Sequence, residues 1–257
     1  IPTGVDEISA TMIKAEPAAE KNELLPSQGE NIPLYTMARM DGDGYTLSDS
    51  TFWRQDKYTR KEVKTISFQN AIPANAENTW DISESQDGSI IAWMDEGNLH
   101  IASNGNISPN ADASYLFANF SKLESIDFGG CFITSNVSNM KNMFAYCSTL
   151  TQVDLSFFDT ANVLDMSGLF RNCSSLQSLD LSNLKTGKVT DMSELFSGCK
   201  KITSLDLSSI DTSNVTTMYS MFYYCQNLES LNLSGFNTSS VTNMNSMFGW
   251  CTSLSSL

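Results

Sequence analysis

Four side chains at 26-residue intervals, Asp154, Asp180, Asp206 and Asn232, are the first candidates for chemistry in this chain. Each stands between two apolar residues in an alternating run, so all four face the exposed side of an extended segment. Carboxylates stacked one strand apart, about 4.8 Å, repel one another and need compensation. The serines around them (Ser178, Ser182, Ser204, Ser208) can donate hydrogen bonds, and a cation or a polyhydroxyl ligand can do the same. A solvated polar face kept by repeat duplication is the plain alternative. Glycosidases also use two carboxylates, but as a differing pair in a cleft and not as a uniform row.

A second candidate surface is aromatic. Tyr146, Tyr224 and Trp250 share the slot before a recurring cysteine, Asn172 and Gly198 fill that slot elsewhere, and Tyr219 and Tyr223 lie close by. Exposed aromatics of this kind mark interfaces, and partial burial at the end of a repeat is the competing reading.

Other reactive types lead nowhere. His100 is the single histidine, it lies on the polar face of a predicted strand between Leu99 and Ile101, and no nucleophile-elbow motif accompanies it. Asp41-Gly42-Asp43-Gly44 begins like a calcium loop, but the fifth position is Tyr45 and the twelfth Phe52, so a Gly-Asp turn is the better reading. There is no H-E-x-x-H, Walker or G-x-G-x-x-G motif. The expectation is a protein with no catalytic residue, metal or cofactor.

The elements that would position these groups follow from one period. Cys147, Cys173, Cys199, Cys225 and Cys251 are each 26 residues apart. Columns headed by Val137, Met140, Phe144 and Leu150 keep the same register. Within a unit, Ser178-Leu179-Asp180-Leu181-Ser182 alternates like a half-buried strand. Val189, Met192, Phe196 and Cys199 fall at i, i+3, i+7 and i+10, the stripe of a short helix, with Thr212-Ser213-Asn214 of the next unit suited to a helix start. One such unit buries too little to offset chain entropy, so copies must stack. The expected fold class is therefore α/β, a right-handed leucine-rich-repeat solenoid with a parallel strand ladder, short helices opposite and a β-rich N-terminal cap. The cysteines lack C-x-x-C pairing and read as buried thiols. Cys131 lies outside their register and reads as free too.

The segments LSFFDTANVLDMSGLFRNCSSLQSLDLS and LSSIDTSNVTTMYSMFYYCQNLESLNLS resemble the 26-residue repeats of BspA-like leucine-rich-repeat bacterial surface proteins. The text from NTWDISESQDGSIIAWMDEGNLHIAS onward resembles that family's lead-in, so the likeness covers roughly residues 46–257. It implies a secreted or wall-displayed protein of adhesion or surface interaction, extracellular or at the cell wall, with a surface protein or glycan as partner. The expected domains are an acidic linker over 1–45, a β-rich cap over 46–112 and the array over 113–257. In the cap, Val63-x-x-Ile66-x-Phe68 imitates the repeat strand, as does Leu123-x-x-Ile126-x-Phe128 just beyond it. Ser89–Trp93 and Asn98–Ala102 flank a hairpin turn at Asp95-Glu96-Gly97. Leu257 falls on a buried strand position, which is read as a truncated array able to associate end to end with another copy.

Charge narrows the partners. The net charge is −14, and residues 1–112 carry 18 acidic and 8 basic side chains against 11 and 7 in residues 113–257. Such a field repels phosphate backbones and anionic membrane, which disfavours nucleic acid. No apolar run approaches the roughly 18 residues of a membrane helix, so direct membrane insertion is not expected. A passive spacer, or the substrate-binding part of a larger enzyme, are the rival functions.

Overall fold

A computed structural model describes residues 32–40 and 51–257. The expectations placed on residues 1–31 and on 41–50, the Asp41-Gly42-Asp43-Gly44 turn among them, lie outside those residues. The strands are β1 (Leu34–Thr36), β2 (Thr65–Gln69), β3 (Trp80–Asp81), β4 (Ile90–Asp95), β5 (Asn98–Ser103), β6 (Asn106–Ser108), β7 (Ser125–Asp127), β8 (Ser204–Asp206) and β9 (Ser230–Asn232).

The largest sheet has the order β3-β4-β5-β2-β7 and mixes orientations: β3-β4-β5 is antiparallel, and β2 runs parallel to both β5 and β7. Its hairpin closes through Glu96 and Gly97, at φ 48° and 93°. Two positive φ angles match the right-handed twist of the flanking strands, which is why Gly is used. The two imitation strands come together here, with Ile66 opposite Ile126 and the Phe68 and Phe128 rings stacked at 5.8 Å. β1 pairs with β6, so the described part of residues 1–45 contributes a strand to the body.

The α/β leucine-rich-repeat solenoid is overturned. No α-helix occurs among the described residues, whose one helical turn is the 3-10 segment Arg60–Glu62. The strands fall into three separate sheets of two, five and two strands, with no helices opposite them. The described residues are almost entirely β and turn.

The residues expected to form helices show why. Met143, Ala145 and Cys147 N–H groups donate to the carbonyls of Met140, Asn142 and Phe144, three residues back. The intervening Met140, Asn142, Phe144 and Tyr146 N–H groups donate instead to Asp165, Ser167, Leu169 and Arg171 in the next copy, at 2.7–3.0 Å. Asn142 and Tyr146 sit at φ 52° and 64°, as do their counterparts through Ser246 and Trp250 at similar values. A left-handed residue at every fourth position cannot continue a right-handed helix. Spacings of three and four in the apolar residues were thus produced by linked turns, and half the backbone donors are satisfied sideways.

The core is a set of columns. Phe117, Phe144, Phe170, Phe196, Phe222 and Phe248 form one file with centroids 5.4–6.0 Å apart. Truncating one of these rings to alanine costs roughly 3–5 kcal/mol. Each columnar thiol donates to a phenylalanine carbonyl, for example Cys173 Sγ to Phe144 O at 3.1 Å. All six cysteines are free. Thr134, Thr160, Thr186 and Thr212 form a further file, each 2% exposed or less. Thr160 Oγ1 donates to Lys185 O and accepts from Lys185 N–H, so one hydroxyl closes two backbone groups of the next copy.

Candidate functional site

The acidic row is exposed, but only Asp206 and Asn232 lie on paired strands, β8 and β9, and Asp154 and Asp180 lie on none. Asp154, Asp180, Asp206 and Asn232 are all solvent-facing, as are Ser178, Ser182, Ser204 and Ser208. One side-chain oxygen of each row residue, however, is engaged within the chain. Asp154, Asp180, Asp206 and Asn232 each accept the backbone N–H two residues on, from Ser156, Ser182, Ser208 and Ser234, at 2.9–3.1 Å. This is the local turn that Asp and Asn make with their own backbone. Ser182 Oγ adds a bond of 2.6 Å to Asp180, which holds that carboxyl below its ordinary pKa. The Ser208 N–H does the same for Asp206, helped by the Ser208 hydroxyl and by Asn232 Nδ2 at 3.0 Å. The mutual repulsion is therefore met by donors of the chain itself.

The row begins in the large sheet. Trp93, His100, Ser67 and Asp127 are successive cross-strand neighbours on β4, β5, β2 and β7. His100 Nδ1 lies 2.9 Å from Ser67 Oγ, and its ring stacks on Trp93 at 5.0 Å. Burial lowers the His100 pKa, against the opposing charge of Asp95. A catalytic triad places the imidazole between nucleophile and carboxylate. Here the serine is in the middle, so the row order does not supply one. Among the described residues, no three His, Cys, Asp or Glu side chains gather as metal ligands.

The aromatic candidates divide. Tyr146 is exposed and stands apart from the others, with the Arg171 guanidinium 5.8 Å over its ring. Tyr219, Tyr223 and Tyr224 converge on one cavity of about 390 Å³, and Trp250 lies against Tyr224 at 5.5 Å. The cavity exists because bulky residues of one copy project beside small ones of the copy before it: Tyr223 and Tyr224 occupy the slots of Ser197 and Gly198. Gly249 holds the next copy of the Tyr223 slot, where a side chain would stand 2.8 Å from the ring. Cations border the space. Arg171 pairs with Glu194 at 2.7 Å, and Lys200 Nζ lies 5.9 Å from the Tyr224 centroid and has no ion pair among the described residues.

The sequence named Tyr219, Tyr223 and Tyr224 only as part of an aromatic surface, and it missed the cavity along with Arg171, Lys200, Ser197 and Ser220. The available signal was register: Arg171 and Ser197 hold the Tyr223 slot in the two preceding copies.

One family model matches, over residues 110–205 and again over 175–256, and its description reads "Mycoplasma protein of unknown function, DUF285". No curated protein and no solved structure matches.

Proposed function

Because the chain belongs to the DUF285 family, a premise that fixes kinship and leaves activity open, we propose that it is a non-catalytic surface-interaction module. Its contacts are made through the aromatic edge. It works at the cell surface or outside it, and its partner is a surface glycan or protein.

One contrast carries this reading. The acidic row spends one oxygen of each residue on its own backbone, whereas the tyrosine cavity leaves its tyrosine hydroxyls and those of Ser197 and Ser220 without partners in the chain. Tyrosine offers large, rigid, amphipathic contact area at low entropic cost. The acidic surface elsewhere disfavours nucleic acid, and no helix among the described residues is long and apolar enough to cross a membrane.

The test is an array of surface glycans and surface proteins probed with the whole chain, beside the double variant Y223S/Y224N. Both replacements already occur in those slots, as Ser197 and Asn172, so the backbone tolerates them. Ligands captured by the parent and lost by the variant support the module. Equal capture by both sinks the aromatic edge. Silence from both favours the passive spacer, in which the stacked copies only hold other segments apart.

A further inference from the structure

Resting on the reading of the aromatic edge as the contact surface, the geometry points to a sugar ring bearing a single negative charge as the ligand of the tyrosine cavity.

The first observation is a set of unused hydroxyls. Ser197 and Ser220 are 7% and 4% exposed and line the cavity. Neither hydroxyl has a hydrogen-bond partner in the chain, and neither is sealed from the space in front of it. Buried polar side chains are ordinarily satisfied, so two unspent hydroxyls in one wall call for a polar occupant, water or ligand. The hydroxyls of Tyr219, Tyr223 and Tyr224 are likewise without partners in the chain. Five hydroxyls, each able to donate and accept, match a polyol better than an amide or an apolar group.

The second observation is shape. About 390 Å³ lies near the lower end of the roughly 300–1,000 Å³ typical of small-molecule sites, enough for one ring rather than a run of them. Aromatic faces present an apolar surface for the C–H side of a pyranose, and the polar floor takes its hydroxyls.

Charge then selects among sugars. Arg171 is neutralised by Glu194, which leaves Lys200 as the uncompensated cation at the rim. One ammonium favours one anionic group. The Arg171–Glu194 pair adds no net positive charge to hold a second. A uronic acid and a sulfate monoester both meet this description, and phosphate dianions do not.

Calorimetric titration of the whole chain decides it, with three probes: a trisaccharide ending in glucuronic acid, its glucose counterpart and the 6-sulfated glucose form. The expected result is binding of one or both anionic probes at least tenfold tighter than the neutral one. K200Q should bring the acidic and neutral probes within about twofold of each other, because it removes a rim charge and leaves the walls intact. Y223S/Y224N should abolish binding of all three. Equal affinity of the parent for neutral and acidic probes overturns the charge assignment, and binding of none overturns the sugar. If none binds while array ligands still depend on Tyr223 and Tyr224, the contact surface stands and only its ligand class falls. If no array ligand depends on them either, both readings fall together.

Discussion

Asn232 Nδ2 donates to Asp206 Oδ1 across 3.0 Å, one copy of the repeat away. One copy earlier the same need is met by Ser182, whose hydroxyl and N–H both bond Asp180. The row is a line of turn-forming acceptors that quiets its own charge. D180N/D206N keeps an acceptor at each turn, as Asn232 already does, so its unfolding midpoint at pH 7 should stay close to the parent's. Urea titration checks this.

Acidity adds a second readout for the same pair. Both carboxyls have folded pKa values below the ordinary 3.8, so the folded state holds their protons less tightly than the unfolded one. That stability is present above about pH 4 and is lost as pH falls through the folded pKa values. The parent should therefore lose more stability than D180N/D206N between pH 5 and pH 3. An equal loss would mean that these carboxyls are not specially held. His100 acts in the same direction at higher pH: its lowered pKa makes stability fall as pH drops below about 6.5.

The threonine file gives a sharper core prediction. T160V keeps shape but strands the N–H and C=O of Lys185, both of which Thr160 Oγ1 serves. Leaving two such groups unsatisfied should cost roughly 2–4 kcal/mol, read as a lower urea midpoint. A change below 0.5 kcal/mol would show that the file is packing alone.

How legible was this in the sequence? The period, the buried columns and the strand character around Ile66 and Ile126 were, because apolar spacing reports which residues face inward. The local backbone was not. Val189, Met192, Phe196 and Cys199 face inward from linked turns just as they would from a helix, and spacing does not distinguish the two. The clue lay in Gly168 and Gly198, positions where φ is 63° and 76°. Their counterparts Asn142 and Tyr224 are not glycine, which hid the requirement. The acidic row was found but its hydrogen bonds were not, because Asp followed two residues later by Ser reads equally as a ligand set or a turn. The cavity depends on small and large residues in adjacent copies, so no single segment announces it.

Gly168 tests that backbone account. A Cβ there would collide with Asn142 Oδ1, besides occupying the left-handed region. G168A should destabilise by roughly 1–3 kcal/mol. N142G leaves that backbone conformation free and removes the obstructing oxygen. In the double variant part of the loss should return, as a coupling above 0.5 kcal/mol by equilibrium unfolding. Strict additivity would contradict the close approach.

The thiols supply a chemical readout. Burial pushes Cys173 and Cys225 up to about 12, and Cys147 and Cys199 well above their ordinary range. Thiolates are the reactive species, so Cys147, Cys173 and Cys199 should resist iodoacetamide at pH 8 in the folded protein. All six should label in unreduced guanidinium, by mass spectrometry. Fewer than six would mean disulfides.

The central claim is that contacts are made at the tyrosine cavity and not along the acidic row. Its most direct test is the dissociation constant of any one captured ligand for three proteins: parent, Y223S/Y224N and D180N/D206N. The account predicts a loss of at least tenfold for the tyrosine variant and less than twofold for the aspartate variant. The reverse order, with affinity lost at the row and kept at the edge, would contradict it.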